Sequence, residues 1–156
     1  MPKYFRWYRS GEDLKKAKNK VLQYTDGGQP SNKAFWVFDM EQTYRPSSRL
    51  YSGRVLVYLE FQDDSRIRDR QNHINFSDPE ESAGESGYPN KVLVKENESG
   101  AYGIGKDVLS GLKLKSVRLA EAHEVAKALG HKGKKGQASN KGVDVQNVMD
   151  RQKWPK

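Results

Sequence analysis

The chain has 156 residues, 35% of them apolar and 31% charged, with a formal net charge of +8. That suffices for one domain, residues 1–156, around a modest core. No run reaches the roughly 18 apolar residues of a membrane-spanning helix, no apolar leader opens the chain, and cysteine is absent, so membrane insertion, disulfides and thiolate metal sites are not expected.

The charge is unevenly spread. Residues 1–62 carry 11 basic against 6 acidic side chains, residues 63–90 carry 3 against 7, residues 91–123 carry 6 against 4, and residues 124–156 carry 8 against 3. Basic ends around an acidic middle favour a polyanionic partner, nucleic acid first. An acidic protein, such as a neutralising inhibitor, fits the same charge.

Tyr4 to Ser10 (Tyr-Phe-Arg-Trp-Tyr-Arg-Ser) is a β-favouring run. In a strand, Tyr4 and Arg6 share one face while Phe5 and Trp7 share the other. An arginine fixed among rings suits a clamp for phosphate or carboxylate; equally, its stem can simply cover a core. Ser10-Gly11-Glu12-Asp13 has the form of a helix start, after which Leu14, Ala17, Val21 and Leu22 recur at helical spacing with lysines outward. Residues 26–32 form a loop by composition. Ala34 to Phe38 is apolar on both faces, as a covered strand would be. Asp39 to Tyr44 suits a short helix or turn, and Arg54 to Phe61 a strand.

From Asp63 to Asn90 the pattern dissolves into an acidic tract expected to be a mobile loop, functional or disordered. Lys91 to Lys95 returns to a strand, and residues 96–106 make a glycine-rich bend. Leu112 to Leu119 fits a strand bent near Lys115-Ser116. Ala120 to Leu129 reads as a helix stopped by Gly130. Residues 130–142 are basic and flexible, and Val143 to Met149 is a final strand or a docked tail.

Gly103-Ile104-Gly105-Lys106 has neither phosphate-loop nor dinucleotide-fingerprint spacing, and reads as a tight turn. A zinc helix beginning at His123 would need histidine at position 127, which is Lys127, so no metal is expected. His123 or His131 with Glu124 and nearby lysines supplies the ingredients of ribonuclease chemistry, though no spacing selects them. Lys132, Lys134, Lys135 and Lys141 can neutralise phosphates, and the tract has no aromatics on which bases could stack.

Taken in order, these elements resemble small ADP-ribosyltransferase-like toxin domains at the C-termini of bacterial polymorphic toxins such as the Rhs proteins. Tyr4-Phe5-Arg6-Trp7 looks like that family's first strand, and Ser10-Gly11-Glu12-Asp13-Leu14 like the helix start after it. Lys33-Ala34-Phe35-Trp36-Val37 is similar to its second strand, Asp39 to Leu50 to the segment beside its pocket, and Gly53-Arg54-Val55-Leu56-Val57 to the next strand. The chain is read as departing from the family in having no Ser-Thr-Ser run on the second strand and no Glu-x-Glu or Gln-x-Glu preceding the late strand.

The resemblance implies an α+β fold, with a small mixed or split β-sheet and two or three flanking helices. It implies NAD as substrate without a metal. Arg6, with Arg9 as rival, would hold the pyrophosphate. Trp36, Tyr44 and Tyr102 would wall the nicotinamide, and Glu98 would act at the ribose with Arg6, in competition with Glu96, Glu60 and Glu121. The expected activity is that of a secreted, monomeric toxin working in a target cell's cytoplasm. Its acceptor would be RNA or a protein, with an immunity protein as a further partner. The alternatives are a metal-independent ribonuclease toxin and a non-enzymatic nucleic-acid-binding module.

Overall fold

The alternation in Tyr4–Arg9 does what a central strand requires, because it buries both faces. Tyr4 and Tyr8 enter one apolar cluster and Phe5 and Trp7 another. The computed structural model describes residues 2–9, 11–22, 34–41, 54–75, 88–94, 100–129 and 141–155. Its strands are β1 (Tyr4–Arg9), β2 (Phe35–Asp39), β3 (Arg54–Phe61), β4 (His73–Asn75), β5 (Val92–Val94), β6 (Ala101–Ile104) and β7 (Leu114–Leu119). The helices are α1 (Glu12–Lys18), α2 (Ser65–Arg68), α3 (Lys106–Ser110), α4 (Ala122–Ala128) and α5 (Lys141–Met149).

The strands form one mixed sheet in the order β4-β5-β6-β2-β1-β3-β7. The β4–β5 pair is parallel and the other pairs are antiparallel. Leu14 and Ala17 of α1, Ile67 of α2, and Val108 and Leu109 of α3 cover the face that carries Tyr4, Tyr8, Phe35 and Val57. Val125 and Ala128 of α4 and Val148 of α5 cover the face that carries Phe5, Trp7, Phe38 and Leu56. The α+β expectation holds at this level, with five helices on two faces among the described residues where two or three were expected.

Several local expectations are corrected. Residues 65–75, expected within a mobile loop over 63–90, hold α2, a 3₁₀ turn over Arg70–Asn72 and β4. Ile67 anchors that segment, being fully buried in a sequence otherwise too polar to signal order. The acidic residues 76–87 lie outside the described residues. The bend expected over 96–106 contains β6 and leads into α3. Helix α1 starts from Gly11 at φ 117°, with no side-chain cap, and ends at Lys18 rather than running to Leu22. Lys20 then takes φ 62° and Val21 is left 47% exposed. Val143 to Met149 lies in a helix, because Val145, Val148 and Met149 pack on one side at i, i+3 and i+4. The expected bend near Lys115-Ser116 is present as a register shift, with Glu60 opposite Ser116 and Phe61 opposite Leu114.

The C-terminal segment completes the outer edge of β3. Strand β7 leaves at Ala120, whose N–H still donates to the Leu56 carbonyl at 2.9 Å. Gln152 Oε1 accepts from the Leu56 N–H at 2.7 Å, while its Nε2 donates to the carbonyls of Leu56 at 2.9 Å and Ala120 at 3.1 Å. One side-chain amide thereby serves as a peptide group would in a further strand. Arg151 Nε reaches the Arg54 carbonyl at 3.4 Å, one step along the same edge.

Candidate functional site

Strands β1 and β2 are laddered at two residue pairs, Tyr4 with Asp39 and Phe5 with Phe38, whereas β1 and β3 are laddered at six. Arg6 stands where the β1–β2 ladder stops. Its Nη1 donates to the Trp36 carbonyl of β2 at 2.8 Å. The guanidinium lies 4.3 Å from the Phe35 ring centre and 5.1 Å from that of Tyr8, in cation–π range of both. Arg6 keeps some surface exposure, yet its Nε is fully enclosed and has no hydrogen-bond partner, and the Tyr8 hydroxyl is in the same position.

Among the described residues Arg6 makes no ion pair. Burial lowers its pKa first; the Tyr8 hydroxyl and the more distant Asp13 favour the charge, and Arg54 opposes it. Burial pushes the Tyr8 hydroxyl up to about 12, so it remains a neutral donor beside the cation at physiological pH. Among the described residues this largely buried cation has no counter-ion, but Phe35 and Tyr8 are 1% and 4% exposed, so both rings belong to the core and an anion would reach only the partly exposed side of Arg6.

The ring of Trp36 does not face Arg6. It packs on the opposite side of the sheet with Ala34 and Leu93, against the backbone of Gly103, so only its carbonyl meets the guanidinium. The aromatic neighbours of Arg6 are Phe35 and Tyr8. The alternation of β1 already gave Tyr8 the face of Arg6, whereas Phe35 needed the register between strands. Tyr102 shares that face, edge-on to Tyr4 at 6.1 Å and 5.9 Å from the His73 ring. The Tyr4 hydroxyl donates to Asp64 at 2.8 Å, and Asp64 also pairs with Arg68 at 3.1 Å. Burial and Asp64 together drive the Tyr4 pKa far up, fixing it as a donor. Tyr102 thus belongs to an aromatic and carboxylate group at the Tyr4 end of β1 that spacing alone did not announce.

Tyr44, Glu98, Glu96, His131, Lys132, Lys134 and Lys135 lie outside the described residues. Lys141 opens α5.

Glu124 is committed to structure. It completes a reciprocal cap with Glu121 at the start of α4, and it receives both Nη atoms of Arg118 at 2.6 and 2.9 Å. Arg118 in turn lies 4.5 Å over the Tyr58 ring. His123 is 76% exposed beside Glu121. Glu121, His123 and Glu124 bring ligand atoms within 4.8 Å of one another, but the buried member is already engaged.

Arg118 holds the Glu124 carboxyl below its ordinary value, with burial opposing and the Glu121 backbone assisting. With the folded value depressed, the unfolded chain binds more protons in acid. The contribution is therefore complete above the usual carboxylate range and is lost as pH falls through the depressed value. Because Arg118 is 40% exposed, solvent screens the pair. Glu124→Gln is expected to cost about 1–2 kcal/mol at neutral pH. In urea titrations across pH, the gap to the parent should close below roughly pH 4.

The two glycines near Lys106 are explained by close packing. A Cβ on Gly103 would sit 2.8 Å from the Trp36 ring, and one on Gly105 would meet the backbone carbonyls of Tyr88, Pro89 and Lys91. Ring atoms can shift slightly, whereas three carbonyls fixed by the Lys91 turn cannot. Gly105→Ala is therefore expected to destabilise by about 3 kcal/mol, the upper part of the overpacking range and more than Gly103→Ala, as read from denaturant midpoints.

Comparison of the chain with protein-family models, curated proteins and solved structures finds no match.

Proposed function

We propose that this protein is an NAD-dependent ADP-ribosyltransferase toxin whose acceptor is RNA. The observation that carries the reading is Arg6: a largely buried guanidinium that makes no ion pair among the described residues, enclosed by Phe35 and Tyr8 at the point where the β1–β2 ladder stops. A diphosphate at the partly exposed side of Arg6 would supply the missing anion; because Nε is enclosed and Phe35 and Tyr8 are buried, the wall for the flat pyridinium would have to come from other residues.

The strand order adds support. β6, β2 and β1 are consecutive neighbours, and on this reading we take them as the counterparts of the strands from which the resembled family draws its late glutamate, its second-strand residues and its arginine. Because residues 101–104 are a strand, Glu96-Asn97-Glu98 comes shortly before it in the chain, which corrects the expectation that no Glu-x-Glu precedes a late strand. Gly100, two residues after Glu98, accepts the Asp39 N–H at 2.8 Å through its carbonyl, tying the start of β6 to the end of β2.

In the reaction, the nicotinamide–ribose bond breaks with both electrons leaving on nicotinamide, and positive charge develops on the sugar. A carboxylate such as Glu98 stabilises that charge more than it stabilises the ground state. An acceptor oxygen or nitrogen then bonds to the ribose carbon and releases its proton.

The test is incubation with NAD labelled on its adenylate half, together with total RNA and cell extract. Label in RNA is the expected result. Label in protein alone would move the acceptor to protein, and no label in any macromolecule would overturn the reading. Shortening of RNA without NAD would favour the ribonuclease alternative, whose carboxylate, Glu124, is already held by Arg118 and the α4 cap. The cationic tract that includes Lys132, Lys134, Lys135 and Lys141 suits a phosphate-rich acceptor.

A further inference from the structure

Arg9 and Arg54 are direct partners across β1 and β3. By strand alternation both follow the face of Trp7 and Leu56, opposite to Arg6. Two like charges set face to face on neighbouring strands destabilise a sheet, and neither arginine makes an ion pair among the described residues. Arg9 is exposed and Arg54 partly so. Burial and the charge of Arg9 lower the pKa of Arg54, and no carboxylate acts on it in compensation. Arg151 brings a third guanidinium alongside, through its bond to the Arg54 carbonyl.

We propose that Arg9 and Arg54 form a phosphate-binding pair that docks the backbone of a single-stranded nucleic acid. The occupant is chosen by charge: three guanidiniums, those of Arg9, Arg54 and Arg151, meet at one end of the sheet. A polyanion with a charge at every repeat answers several of them at once, and the planar guanidinium forks suit its phosphates. A repulsive pair kept at a sheet end is what a surface completed by an anionic partner would retain.

The inference deepens the reading above and rests on it for RNA as the occupant. Its measurement uses no NAD, so the two fail separately. Loss of label transfer with RNA binding intact would leave this surface standing. Absence of RNA binding would leave transfer to a protein acceptor standing.

The experiment is fluorescence anisotropy with a short labelled single-stranded RNA at several salt concentrations, on the full chain. Arg9→Ala/Arg54→Ala is expected to bind about tenfold more weakly, and the slope of log K against log[salt] should fall by about 1.4, or ~0.7 for each of two phosphates. Its melting temperature should be equal to or above the parent's, because a repulsion is removed. Arg9→Lys/Arg54→Lys keeps both charges, and is expected to regain most of the affinity. Unchanged RNA affinity in the alanine pair would overturn the proposal. So would an equal loss of binding to RNA and to polyglutamate, which would assign the pair to an acidic protein.

Discussion

Arg6→Met is expected to abolish transfer of ADP-ribose while leaving the fold as stable as the parent, or more so. Methionine fills much of the same volume without a charge, so it removes the desolvation cost of an enclosed guanidinium that donates to the Trp36 carbonyl and makes no ion pair among the described residues. The loss of that donor to Trp36 works against the gain, so the net change in stability should be small. Transfer of label from NAD should fall at least about 100-fold, roughly 3 kcal/mol of lost stabilisation of the bound dinucleotide and its transition state. An arginine whose role was to hold β1 and β2 together would give the opposite result, a lowered melting temperature with activity surviving in the folded fraction. Arg6→Lys separates charge from shape. It keeps the cation but loses the planar fork, and a substantial part of the activity should go with it.

The second large effect is expected at the other end of the chain. Gln152→Ala removes three hydrogen bonds and takes the partner from the N–H of Leu56, a residue with no exposed surface, and a donor from the Ala120 carbonyl, while the Leu56 carbonyl keeps the Ala120 N–H. Leaving such groups unpaired costs about 1–3 kcal/mol each, so a loss of about 3–4 kcal/mol is expected. That is a large fraction of the stability of a domain this size. Gln152→Glu should be nearly as damaging at neutral pH, since a carboxylate can accept from Leu56 but cannot donate to either carbonyl. It should recover in part in acid, where a protonated carboxyl regains one donor. Urea unfolding at neutral and acid pH measures both. If Gln152→Ala unfolds at the parent's midpoint, the C-terminal segment does not hold the edge of β3.

The sequence made the central strands legible because their signal is local. Residues 4–9, 35–39 and 54–61 are apolar on both faces, and such a run has few outcomes besides a covered strand. The short elements were hidden for the converse reason. β4 and β6 have three and four residues, and α2 is held by one buried isoleucine, so none carries enough pattern to be seen without the neighbours it packs against, whereas the Val-Leu-Val run of β5 was read as a strand. α5 was missed, its last seven residues being read as a strand or a docked tail, because four apolar side chains in seven residues do not select a helix until the face beneath them is known.

The site divides along the same line. From its neighbours alone, Arg6 could be read as an arginine set among rings, because strand alternation fixes which side chains share its face. Which rings enclose it was decided by the register of β1 against β2. That register turned the Trp36 ring to the far side and left its carbonyl, with Phe35, beside the guanidinium. The opposition of Arg9 and Arg54 and the use of Gln152 in place of a strand were likewise beyond a one-dimensional reading, because each joins residues tens of positions apart. Composition and alternation, acting over a few residues, determined that the chain is basic and builds a two-faced sheet. Strand pairing, a long-range matter of geometry, decided which charges are left without a partner.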